Sequence, residues 1–116
     1  MISFRNDYSE GAHPKVLEAL SRSNFDTTCG YSMDKYCARA ADTVRKLTAC
    51  PDADVHFLTG GTLANTIVIS RALRPWESVI AAETGHINVH ETGAVEATGH
   101  KVLGIPSQDG KITAGQ

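Results

Sequence analysis

Gly60-Gly61-Thr62 and His86 are the residues of this 116-residue chain whose types and order could do chemistry. Paired glycines open the backbone to close approach, and Thr62 adds a hydroxyl donor. Downstream of Thr62, Leu63, Ile67, Ile69 and Leu73 predict a helix, with Val68 broadening its apolar face. A helix start leaves backbone N–H groups unpaired and carries a partial positive charge. Phosphate is the usual guest of such a site. The same residues also read as a tight turn in which Thr62 caps the helix. No Lys-Ser or Lys-Thr follows the glycines, which excludes the ATP-type loop, and the spacing is not that of a dinucleotide fingerprint. What remains is a cup suited to a monophosphate ester such as a cofactor tail.

The elements that must position these groups follow from hydrophobic pattern. Val55-His56-Phe57-Leu58 reads as a short buried strand running into the glycines, with His56 packed in its core. Ser78 to Ala82 reads as a second strand after the turn Arg74-Pro75-Trp76-Glu77, so His86 falls just past a strand's carboxyl end. In open α/β sheets that edge is where ligands bind. Two strand ends would then offer an anion cup and an imidazole side by side. Trp76 is expected to plug against a neighbouring element.

His86 and His90 are four apart and, with Glu91, could be imagined as zinc ligands. The segment reads His-Ile-Asn-Val-His-Glu, however, and the zinc-protease order H-E-x-x-H is absent. His90 and Glu91 otherwise shape a helix start. Glu96 and His100 have the spacing of a solvated helical pair.

Elsewhere the pattern alternates. His13-Pro14 opens a helix through about Ser21, with Val16, Leu17 and Leu20 on one face. Asn24 to Ser32 is a polar loop. Met33 or Asp34 starts a longer helix to about Ala49, with Tyr36, Ala40, Val44 and Leu47 as its stripe. A helix from about Ile87 to Thr98 and a third strand, Lys101 to Ile105, complete the order. Such alternation predicts an α/β fold with a parallel-rich sheet.

Composition sets the class. A hydrophobic fraction of 41% and a charged fraction of 21% are ordinary for a globular domain. Net charge is -2 with Lys and Arg dispersed, which excludes a nucleic-acid footprint. No run approaches a membrane span, and Met1 to Asp7 lacks a signal peptide's apolar core, so a cytoplasmic protein is expected. Cys29, Cys37 and Cys50 are odd in number and form no C-x-x-C pair, which reads as free thiols.

Four segments in order carry a resemblance. They are Arg5-Asn6-Asp7-Tyr8-Ser9, Gly30-Tyr31-Ser32-Met33-Asp34, Gly60-Gly61-Thr62, and Gly85-His86-Ile87 through Glu91-Thr92-Gly93-Ala94. Together they resemble the N-terminal part of the threonine aldolase and β-eliminating lyase family, pyridoxal-phosphate enzymes of the aspartate aminotransferase fold type (fold type I). The resemblance implies that residues 1–116 are a partial cofactor-binding domain. Residues 1–32 would form an N-terminal arm, first helix and loop, and residues 33–116 a helix followed by alternating strands and helices. Gly60, Gly61 and Thr62 would hold the cofactor phosphate. His86 would stack on the pyridine ring and assist proton transfer, and Asn6 and Tyr31 would contribute to substrate binding. An amino acid substrate and a homodimer or homotetramer are implied too, with no nucleic-acid or membrane partner. Exposed apolar edges would favour such association.

The chain also departs from the family. Asn6 stands where members usually carry Ser, although an amide can still donate to a substrate carboxylate. Tyr31-Ser32-Met33-Asp34 stands where threonine aldolases often read Tyr-Gly-Glu-Asp, and His90 where an aromatic commonly precedes the Glu. The cofactor chemistry needs a Schiff-base Lys. Lys15, Lys35, Lys46, Lys101 and Lys111 are present, and none occupies the matching position. Asp109 to Gln116 reads as a loop leading into a further helix. The resemblance therefore implies a piece of a several-fold longer lyase that performs aldol cleavage or β-elimination. Two other readings stay open: a non-catalytic phosphate-binding or dimerisation module, and, more weakly, a metal-dependent hydrolase.

Overall fold

The computed structural model describes residues 5–6 and 8–116, so Asp7 of the first motif lies outside the described residues. The chain divides into two units, Met1–His56 and Phe57–Gln116.

The first unit carries two helices. Helix α1, Pro14–Ser23, starts where the sequence places it: Pro14 supplies a preset φ, and the Nδ1 of His13 accepts from the backbone N–H of Lys15. Its expected apolar face forms, but Val16, Leu17 and Leu20 are all exposed. Helix α2, Lys35–Leu47, is capped by Asp34, whose Oδ1 accepts from the backbone N–H groups of Tyr36 and Cys37 at 2.8 and 2.9 Å. Ala41 is its one buried residue, with Cys37, Ala40 and Arg45 beside it. The inward face is therefore rotated from the expected stripe, and Tyr36 and Leu47 point outward. Tyr36 instead donates its hydroxyl to Asp26, which Lys35 also binds. All three cysteines are free thiols.

The second unit is built on two parallel strands. They are β1, Val79–Ala82, and β2, Val102–Ile105, in the register Val79↔Val102 through Ala82↔Ile105. Helix α3, Gly61–Ala72, precedes them, and a single-turn helix α4, His86–Val89, lies between them. Val95 is fully buried, and Ala82 and Val102 complete the small apolar core.

Four expectations fail here. Val55 to Leu58 is not a strand, so the described sheet has two strands rather than three. A strand needs a hydrogen-bonded neighbour; this segment has none among the described residues, and His56, Phe57 and Leu58 are exposed rather than packed. The helix expected from Ile87 to Thr98 stops after Val89. Thr92 and Gly93 take φ of 49° and 82°, and the chain resumes only as a short 3-10 turn, Glu96–Thr98. Such angles break any right-handed helix, and Gly93 adopts its own without steric cost. His100 is buried, not solvated: its Nδ1–H donates to the Glu77 carbonyl at 3.1 Å and pins the turn before β1. Trp76 plugs nothing; it is 76% exposed, with the Arg74 guanidinium over its ring.

Candidate functional site around His86 and the glycine loop

His86 is placed by the way β1 ends. The Ala82 carbonyl accepts from the backbone N–H of Gly85 and from the Asn88 side chain, both at 2.8 Å. This folds the chain tightly over the strand's end. A Cβ at residue 85 would lie 2.9 Å from that same oxygen, so only glycine fits. Helix α4 then begins directly with His86.

The break after Val89 does the rest. By turning at Thr92 and Gly93, the chain sends Glu91 inward, where its side chain is 0% exposed. One oxygen, Oε1, meets two nitrogens: Asn65 Nδ2, which donates to it at 2.6 Å, and His86 Nδ1 at 3.0 Å. Asn65 stands one turn into α3, so a single carboxylate ties the helix behind the glycine loop to the imidazole beyond β1. The other oxygen, Oε2, is buried with no partner among the described residues. The His86 side chain is 63% exposed, and its Nε2 has no partner among them either. The His90 ring lies against it at 5.3 Å between centroids, tilted by 52°.

The glycine loop has its own signature. Gly60 is the N-cap of α3 and makes no side-chain cap bond. Thr62 is the second helical residue, not the cap, and its hydroxyl has no protein partner among the described residues. Nothing lies within 4 Å of where a Cβ would stand on Gly60 or Gly61. Gly60 has the extended φ of 175°, which any residue adopts. Neither backbone conformation nor protein packing accounts for the two glycines, whereas open space before unpaired N–H groups suits an incoming anion. No strand leads into this loop, so one strand end, that of β1, borders the site instead of the expected two.

Gly60, Gly61, Thr62 and His86 thus belong to one unit, joined through Asn65 and Glu91, which sequence reasoning did not assign to the site. Asn6 and Tyr31 belong to the other unit. Asn6 Oδ1 accepts from the backbone N–H of Tyr8, closing a local turn. Tyr31 is 99% exposed and takes a left-handed φ of 60°, as does Ser32 at 61°. Among the described residues no group of three His, Cys, Asp or Glu side chains could hold a metal ion. No helix among them is long and apolar enough to cross a membrane.

The fold and site define an α/β chain with an open, glycine-flanked helix start and a histidine held by a buried carboxylate beyond a parallel strand. The family model for beta-eliminating lyases matches residues 4–116, and the chain belongs to that family. It is 37% identical over 112 residues to the low-specificity L-threonine aldolase of Pseudomonas sp. (strain NCIMB 10558), covering 95% of this chain and 32% of that protein. The Pseudomonas aeruginosa low-specificity L-threonine aldolase is 33% identical over the same length, with the same coverage. The solved structure of Leishmania major threonine aldolase superposes with a TM-score of 0.87 at 56% identity, covering 92% of this chain and 31% of that one. The chain therefore spans about a third of the length of these relatives.

Proposed function

We propose that this chain forms the phosphate-holding N-terminal part of a pyridoxal-phosphate-dependent lyase of fold type I. Its substrate would be a β-hydroxy amino acid such as threonine, cleaved to glycine and an aldehyde. The observation that carries the reading is the pair of glycines with open space before them at the start of α3, one turn from the residue that shares Glu91 with His86. Family membership and the threonine aldolase relatives support the activity.

The residues fit the cofactor. The backbone N–H groups at Gly60 to Thr62 and the free Thr62 hydroxyl would hold its phosphate, and the exposed face of His86 would lie along its ring. Bound pyridoxal phosphate supplies an electron sink for the charge left on the amino acid's α-carbon when a bond there breaks. The chain's own residues orient and move protons. Glu91 carries two donors on Oε1, so His86 presents a free Nε2, and that atom would take the proton leaving the substrate's side-chain hydroxyl. From the family resemblance alone, Asn6 would donate to a substrate carboxylate and Tyr31 would take part in substrate binding.

The experiment is to purify the natural gene product, weigh it intact, and incubate it with pyridoxal phosphate and L-threonine. A chain much heavier than 116 residues that releases glycine and an aldehyde supports the reading. Elimination of a β-substituent in place of cleavage would move the protein to the other branch of the family. A second reading is a non-catalytic phosphate-binding or dimerisation module. A natural product of this mass that binds the cofactor without turnover would favour it.

A further inference from the structure

We infer that Glu91 is a positioning residue that fixes His86 as the Nδ1–H tautomer, and that Asn65 holds Glu91 ready for it. The inference deepens the proposed site and rests on that reading for its consequence in catalysis, but not for its geometry.

An ionised carboxylate only accepts hydrogen bonds. The contact of 3.0 Å between Glu91 Oε1 and His86 Nδ1 therefore requires the proton on Nδ1. Asn65 Nδ2 is a donor by chemistry and converges on the same oxygen at 2.6 Å. Both bonds fall on Oε1, so the carboxylate cannot rotate without losing one. The neutral ring is then left with a lone pair on Nε2, on a side chain that is largely exposed. A histidine without this contact would be free to carry its proton on Nε2 and could not accept another there. The tautomer is set by the bond the other nitrogen makes.

Two further features argue that this arrangement is more than packing. Glu91 is buried with its second oxygen unpartnered among the described residues, an arrangement that costs stability. The residue after it, Thr92, is a β-branched side chain held at a left-handed φ, an uncommon strain. Both costs fall on the stretch that turns Glu91 inward. Strain of this kind clusters where the surrounding structure needs one geometry.

The test is magnetic resonance on the natural protein labelled with nitrogen-15 in histidine, without cofactor or substrate, above the pH at which the ring is neutral. The His86 signals are assigned by their loss in His86→Gln. The expected pattern is a protonated Nδ1 and a bare Nε2. Glu91→Met keeps the bulk and removes the acceptor, so His86 should shift to the Nε2–H form. Glu91→Gln retains an acceptor and should keep Nδ1–H. In the loaded enzyme, Glu91→Met should lower kcat about a hundredfold with KM little changed, and Glu91→Gln should restore most of it. A wild-type His86 carrying its proton on Nε2 overturns the inference, as does an unchanged Nδ1–H form in Glu91→Met. Should Glu91→Met not fold, the wild-type spectrum alone still decides. A fixed Nδ1–H in a protein that binds no pyridoxal phosphate would leave the positioning intact and sink the proposed function. Threonine cleavage by a protein whose His86 carries Nε2–H would do the reverse.

Discussion

Replacing Asn65 with alanine should destabilise the second unit by an amount that its contacts set. Its Nδ2 donates to Glu91 Oε1 at 2.6 Å, short for an N–H···O bond and directed at a charged acceptor. Hydrogen bonds to charged groups contribute about 1.5–3 kcal/mol net. Glu91's side chain is fully buried and its second oxygen already lacks a partner, so screening by solvent does not reduce that range much. Asn65 itself is only half-buried, and a water entering the vacated space sets the lower end. Asn65→Ala should therefore cost about 1.5–3 kcal/mol, read in the natural protein as a lower urea midpoint with unchanged slope at fixed protein concentration. Asn65→Asp should cost more near neutral pH, because it sets a second carboxylate against the buried one. An Asn65→Ala variant within about 0.5 kcal/mol of wild type, with Asn65→Asp no worse, would refute the reasoning.

Other changes separate the parts of the account. Thr62→Val removes a hydroxyl with no protein partner and should weaken pyridoxal-phosphate binding in the natural protein about tenfold, with unfolding unchanged; equilibrium dialysis checks it. Thr92→Gly relieves a left-handed β-branched residue and should stabilise by up to about 1 kcal/mol, seen as a higher urea midpoint. Asp34 is held below its ordinary 3.8, first by the hydrogen bond from the Cys37 side chain and then by the Cys37 backbone N–H. A lowered carboxyl contributes stability that is present above 3.8 and lost as the pH falls through the lower folded value. Acid unfolding of α2 followed by circular dichroism should thus be blunted in Asp34→Asn, which keeps a capping oxygen but does not titrate.

The helices of the first unit were legible because their ends carry chemistry: His13-Pro14 opens α1, and Asp34 caps α2 two residues ahead of Tyr36. Strands β1 and β2 were legible as short apolar runs bounded by turn residues. Val55 to Leu58 has the same pattern and is no strand, because pattern describes a face that can be buried and says nothing about whether a partner is there to bury it. The break after Val89 was hidden for a different reason. Gly93 signals a turn, but a threonine at positive φ gives no sequence sign, and α4 therefore looked longer than it is. Glu91 was the harder loss. Glutamate is almost never fully buried unless paired, so its ordinary reading is a surface residue. Its partners are 26 residues upstream and five residues upstream, at Asn65 and His86, a pairing no periodicity reveals. A histidine five residues before a glutamate that precedes Thr-Gly was the available signal. Open space stands before both glycines, and the hydroxyl beside them has no partner among the described residues rather than acting as a cap.

The measurement that bears most directly on the central claim is a crystal structure of the natural protein grown with pyridoxal phosphate. The account predicts the phosphate within hydrogen-bond distance of the backbone nitrogens at Gly60 to Thr62 and of the Thr62 hydroxyl. It also predicts the cofactor ring against His86, whose Nδ1 still meets Glu91. A phosphate bound elsewhere, or a cofactor ring out of reach of His86, would contradict it.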